Sequence, residues 1–107
     1  MLKIEKKLQP VVGVFEGVTR HTLACGRDVL MAQFEYKEGS EVPTHKHAYE
    51  QVTTVLTGEQ KIYIKGMEFT EEFIVRDGES YVVPANFEHS QVSIKKTITI
   101  DAWCIAP

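Results

Sequence analysis

Apolar and polar residues alternate with a period of two along most of this chain. The sequence TITIDAWC puts Ile98, Ile100, Ala102 and Cys104 on one side of an extended segment and Thr97, Thr99, Asp101 and Trp103 on the other, because successive side chains of a strand point to opposite faces. Leu30, Ala32, Phe34 and Tyr36 oppose Met31, Gln33 and Glu35 in the same way. Enrichment in β-branched and aromatic residues predicts strands over Val18–Ala24, Val29–Tyr36, Gln51–Leu56, Gln60–Ile64, Phe69–Val75, Ser80–Val83, His89–Ile94 and Thr97–Cys104. Between them lie turn-forming stretches: CGRD, KEGS, TGE, KG, RDGES and PAN. No apolar period of 3.6 runs long enough for a major helix. The pattern predicts an all-β fold, a closed barrel or a sandwich.

A length of 107 residues fits one domain, 1–107, with residues 1–17 as an N-terminal arm before the first predicted strand. On the last strand one face is wholly apolar while the other mixes threonines with an acid and a tryptophan. The mixed face reads as the lining of a ligand cavity. The apolar sheet face suits burial against a second subunit, so a homodimer is expected.

The net charge is -3, with 15 acidic and 12 basic residues and no basic stripe, which argues against nucleic acid as a partner. No apolar run approaches the roughly 20 residues of a membrane span, and the start MLKIEKKLQP lacks the apolar stretch of a secretory signal. A cytoplasmic protein is expected. Cys25 and Cys104, far apart and in strand-like surroundings, read as buried thiols rather than as a disulfide framework.

Two of the four histidines stand two residues apart, in GSEVPTHKHAYEQVTTVLTGE. Positions i and i+2 of an extended segment project to one side, so His45 and His47 present two imidazoles to one point, as a metal with neighbouring nitrogen ligands requires. The same parity brings Gln51 to that side and turns Glu50 away. His89, which follows a glycine-opened strand and a proline turn in GESYVVPANFEH, is the candidate for the next ligand. His21 has no partner in the pattern and reads as a surface or hydrogen-bonded histidine.

These residues resemble the two motifs of the cupin superfamily. The first, G-x5-H-x-H-x3-4-E-x6-G, corresponds to Gly39, His45, His47, Gln51 and Gly58, and spans residues 39–58. The second, G-x5-P-x-G-x2-H-x3-N, corresponds to Gly78, Pro84, Asn86, His89 and Val92, and spans residues 78–92. The resemblance implies a single RmlC-like jelly-roll barrel holding one divalent transition metal, whether nickel, manganese, iron, zinc or cobalt, on His45, His47, Gln51 and His89. The chain departs from the motifs at Gln51 for glutamate, Asn86 for glycine and Val92 for asparagine. Asparagine tolerates positive φ better than other non-glycine residues. A glutamine ligand brings no charge, so such a site should favour an anionic substrate.

Within the superfamily, HxHxxxQ with YEQVTTVLTG, SYVVPANFEHS and IDAWCIAP is similar to the pectin-degradation cupins that linearise 4,5-unsaturated uronates. That likeness implies Lewis-acid chemistry by the metal, general acid and base work by Asp101, and an apolar wall from Trp103. It also implies a cation for the substrate carboxylate, for which Arg20 or another basic residue is the candidate, with Tyr49 also at the substrate. Other outcomes for a metal cupin are a dioxygenase using metal and O2, a binding or sensory barrel without catalysis, and a lyase using a cavity tyrosine among Tyr49, Tyr63 and Tyr81.

Overall fold

A computed structural model describes residues 2–105 of the chain. A 3-10 turn at Lys6–Leu8 precedes ten strands: β1 (Val11–Phe15), β2 (Val18–Cys25), β3 (Val29–Tyr36), β4 (Glu41–His45), β5 (Gln51–Thr57), β6 (Glu59–Lys65), β7 (Thr70–Arg76), β8 (Ser80–Val83), β9 (Glu88–Ser93) and β10 (Thr97–Cys104). All pairings are antiparallel. Six strands form one sheet in the order β1-β2-β3-β10-β5-β8, and four form a second in the order β4-β9-β6-β7. No helix among the described residues is long and apolar enough to cross a membrane.

Eight strands lie where the alternation predicts them, and two do not follow from it. β1 falls inside the expected N-terminal arm and pairs with β2. β4 contains Pro43 and ends at His45, pairing with β9. Both are edge strands, where a residue without a ladder hydrogen bond is tolerated. A register irregularity between Val42 and His45 re-aims the end of β4, as such irregularities do beside functional sites.

The interior follows the parity of β10. Thr97, Thr99 and Asp101 are buried, while Ile98, Ile100 and Ala102 on the other face are half-buried. The mixed face therefore points between the sheets, and the apolar face points out. One buried apolar cluster joins Val55, Ile62, Ile64, Val75, Tyr81 and Val83 with Phe73 and Phe87 packed against it; a second joins Val18, Tyr36 and Val42 with Val14 and Phe34. Burying a side chain such as Ile62 stabilises the fold by roughly 1.5–3 kcal/mol. On the outer face of the large sheet, the ladder registers align Ala24, Met31, Ala102, Val52 and Val82 in one apolar row across β2, β3, β10, β5 and β8.

The β5–β6 turn crosses from one sheet to the other at Gly58, whose φ is +119°. A Cβ there would lie 2.4 Å from Thr97 Oγ1 and 2.6 Å from the Lys96 carbonyl oxygen, so only glycine fits. Asn86 takes φ +68° in the turn before β9, the left-handed conformation its place in the motif anticipates. The thiols depart from expectation. Cys25 and Cys104 are exposed rather than buried, because each ends its strand.

Candidate metal centre

The three histidines reach one point from two strands and the loop between β4 and β5. His45 at the end of β4 stands opposite His89 on β9, and His47 follows two residues later. Their ligand atoms all lie within 4.8 Å of one another. Each ring is held in the same way. His45 Nδ1 donates to the Pro43 carbonyl at 2.9 Å, His47 Nδ1 to the Tyr49 carbonyl at 2.9 Å, and His89 Nδ1 to the Phe87 carbonyl at 3.0 Å. A carbonyl oxygen only accepts, so each Nδ1 carries a proton and Nε2 is the nitrogen left to ligate.

Burial, with the neighbouring imidazoles, pushes the pKa of His89 down to about 4 despite the hydrogen bond to Phe87. The ring is neutral near pH 7 and ready to ligate. Its Nε2 is buried and has no hydrogen-bond partner among the described residues, an arrangement that costs free energy unless something occupies the lone pair.

Gln51, the fourth residue of the motif, stands beside His47. Its Nε2 donates to Thr53 Oγ1 at 2.9 Å and to Asp101 Oδ2 at 2.9 Å, which turns Oε1 towards His47 Nε2 at 3.1 Å. With its proton on Nδ1, His47 leaves Nε2 as its ligand atom, and the amide oxygen beside it is likewise an acceptor. A cation shared between them would satisfy both, and the ligand atoms of His45, His47 and His89 lie close enough together to hold a metal ion. The residues present therefore fit a divalent ion on three imidazole nitrogens and one amide oxygen.

These groups open onto a cavity of about 180 Å³, room for a monosaccharide-sized molecule and below the roughly 300–1,000 Å³ of drug-sized sites. Val14, Phe15, Val18, Phe34 and Val42 supply an apolar wall. Arg20, Tyr49, Asp101 and Trp103 all line it as well. Arg20 Nε is buried and has no hydrogen-bond partner among the described residues. Tyr49 stacks on His47 with centroids 4.0 Å apart and planes 5° from parallel, and lies 6.0 Å from Trp103. Burial raises its phenol pKa, partly offset by the Arg20 charge. His21 stays outside the site, paired through Nε2 with the Lys6 carbonyl at 2.8 Å. Of the three tyrosines considered for lyase chemistry, only Tyr49 lines the cavity.

Asp101 is the central acceptor of a buried polar network. Thr99 Oγ1 donates to its Oδ1 at 2.7 Å, and Thr53 Oγ1 to its Oδ2 at 3.0 Å. Burial raises its pKa to about 6 against these two hydrogen bonds and the one from Gln51. Beneath it Tyr81 donates to Gln91 Oε1 at 3.1 Å, and Gln91 Nε2 donates to the Tyr36 hydroxyl at 3.3 Å. Burial holds both phenols above their ordinary pKa, with the nearby Asp101 charge adding to it. Sequence reasoning gave no role to Thr53 and Gln91 and placed Thr99 only on the mixed face of the last strand. Each lies two residues from a named site residue, so the period-two rule that found the ligands reaches these three too.

The family profile described as "Cupin domain" matches residues 32–99. No curated protein matches the chain. Among solved structures, an RmlC-like cupin from Shewanella frigidimarina NCIMB 400 superimposes with a TM-score of 0.83 at 23% identity, over 99% of this chain and 96% of that one. KdgF from Halomonas sp. gives a TM-score of 0.83 at 19% identity, over 96% of this chain and 92% of that one. A variant of oxalate decarboxylase from Bacillus subtilis gives 0.87 at 12% identity, over 97% of this chain and 29% of that one.

Proposed function

This chain belongs to the cupin superfamily, and from that premise we propose that it is a metal-dependent isomerase that opens 4,5-unsaturated uronates to their linear keto form. The observation that carries the reading is the pairing of two unmet needs across one cavity. Arg20 Nε lacks a partner on the wall, and the candidate metal ligands His45, His47, Gln51 and His89 bring no negative charge. A small ligand that satisfies both is an anion. The fold neighbour KdgF and the sequence likeness to uronate-linearising cupins support a sugar acid as that anion.

A metal held on the four ligands would supply Lewis acidity towards the substrate's oxygens. Arg20 binds the carboxylate, and Trp103 with Phe34, 6.3 Å apart, offers an apolar surface to the sugar ring. Tyr49 lines the cavity beside them as a neutral phenol stacked on His47. Asp101 in its acid form gives a proton to the alkene carbon C4. As the bond between the ring oxygen and the anomeric carbon breaks, C5 becomes the ketone and the anomeric hydroxyl becomes the aldehyde. The proton of that hydroxyl returns to Asp101, so the product is an isomer of the substrate. A carboxyl group with its pKa lifted to about 6 suits both directions of that transfer.

The test is loss of alkene absorbance when the metal-loaded protein meets an unsaturated galacturonate, with oxygen uptake followed in parallel. Loss of absorbance without oxygen uptake is expected. Oxygen uptake would favour the dioxygenase reading, and no change in either would leave a binding barrel. The apolar row of Ala24, Met31, Ala102, Val52 and Val82 is the face on which a second copy would dock. Val52→Glu should convert a dimer to a monomer in light scattering, and a monomeric wild type would end that part of the proposal.

A further inference from the structure

A glutamine ligand carries a problem that a glutamate does not. The two ends of its carboxamide have nearly the same shape, but only the oxygen can ligate; turned over, the amide presents two N–H groups to the ion. Something must fix which end faces inward. In this chain Thr53 stands two residues along β5 from Gln51, and Asp101 stands directly across the ladder from Thr53. The Gln51 NH2 group is gripped by both, at 2.9 Å each. The carboxylate is itself held from the other side by Thr99 at 2.7 Å, so it cannot swing away.

Charge points the same way. Asp101 is buried, and no salt bridge pairs it with a cation among the described residues. An isolated buried carboxylate is costly. A divalent ion on three imidazoles and an amide likewise lacks compensating charge in its ligands. Each supplies what the other lacks, with the polarised carboxamide between them.

Resting on the metal-centre reading, we infer that Asp101, besides the proton transfer assigned to it above, positions a metal ligand: between proton transfers its carboxylate locks the Gln51 carboxamide with its oxygen inward and supplies, from behind that ligand, the negative charge that Gln51 does not bring. The carboxylate has moved one residue back from the ion. Outer partners of this kind typically change metal affinity by 10–100-fold.

The test is Co2+ binding by calorimetry, with the cobalt visible spectrum as a second readout. Wild-type protein that binds no stoichiometric Co2+ overturns the metal-centre reading itself. Given wild-type binding, Asp101→Asn should lower affinity at least ~10-fold and shift the cobalt bands. Adding Gln51→Glu to Asp101→Asn, which returns a carboxylate to the site, should bring affinity back to within a few-fold of wild type. A merely structural role for Asp101 would not be rescued in that way. Unchanged affinity in folded Asp101→Asn, or no recovery in the double variant, overturns the inference. Should Asp101→Asn fail to fold, Thr53→Val takes its place, because it removes one grip on the same NH2 group. It should weaken Co2+ binding several-fold, and unchanged binding would likewise overturn the inference.

Discussion

His45 and His89 face each other across the β4–β9 ladder with ring centroids 4.1 Å apart. With the His47 ring 4.8 Å from that of His89, the three ligand atoms converge within 4.8 Å of one another, where a single cation can take them all. Metal at 100 times its Kd should stabilise the fold by about 2.7 kcal/mol. In a chain of this length that is a rise in Tm of roughly 10–20 °C. Thermal unfolding with and without a chelator measures it. An unchanged Tm in metal-loaded protein would count against a shared ion.

Removing one ligand should remove tight binding without unfolding the barrel. His47 lies outside the strands and its ring is not part of either apolar cluster, so His47→Ala should fold and lose stoichiometric metal by elemental analysis. Retention of one equivalent of metal would take His47 out of the ligand set.

Arg20 is the cation assigned to the substrate carboxylate. Arg20→Ala should raise KM for an unsaturated uronate at least ~10-fold, since a hydrogen bond to a charged group contributes about 1.5–3 kcal/mol, with metal content unchanged. Arg20→Lys should recover only part of this, as an ammonium lacks the planar fork of the guanidinium. A wild-type KM in Arg20→Ala would move the carboxylate elsewhere in the cavity.

Two groups give the metal-free fold opposite pH dependences. As pH falls below the ordinary histidine value of 6.5, the unfolded chain protonates His89 while the folded ring stays neutral to about 4. That contribution to stability is present above 6.5 and lost on the way down to 4. Asp101 works in the other direction. Its carboxyl holds its proton up to about 6 in the fold but only to 3.8 when unfolded, so its contribution is present below 3.8 and lost as pH rises through 6. Each is on the order of 3 kcal/mol, and between pH 4 and 6 they nearly cancel. Urea unfolding of metal-free protein should give a flat profile there. Asp101→Asn should expose a rise in stability with pH over the same interval. A steep wild-type profile that the variant leaves unaltered would refute this pairing.

Gly58→Ala should cost ~3 kcal/mol or more, because positive φ and a contact of 2.4 Å with Thr97 Oγ1 act together. Gly78→Ala, with φ +80° but open space around its Cβ position, should cost only about 1 kcal/mol from conformational strain. Chemical denaturation of the two variants compares them, and equal losses would mean that the Thr97 contact relaxes freely.

The strands of this fold were legible wherever a side of the sheet is buried. β10 announces itself because Thr97, Thr99 and Asp101 share a face that turns inward, although they are polar; their placement follows from parity, not hydrophobicity. The i, i+2 spacing anticipated the meeting of His45 and His47, whereas Gln51 follows a bend at Ala48 and Tyr49 that strand parity does not carry across. β1 and β4 were illegible because edge strands do not need two buried faces, and Pro43 and Gly13 break the β signal locally. The grip of Asp101 on Gln51 joins residues 50 apart in sequence, and only the β5–β10 register brings them together. The exposure of Cys25 and Cys104 reflects strand termini, which composition does not mark.

Each of the three imidazoles takes its orientation from a peptide oxygen two residues before or after it. Which nitrogen carries the hydrogen is therefore dictated by the main-chain trace and not by neighbouring side chains. Replacements around the cavity wall can reshape what the pocket admits without turning any ring over. Recognition and ion-holding are thus mechanically separable in this barrel, and the former is free to diverge while the latter stays fixed.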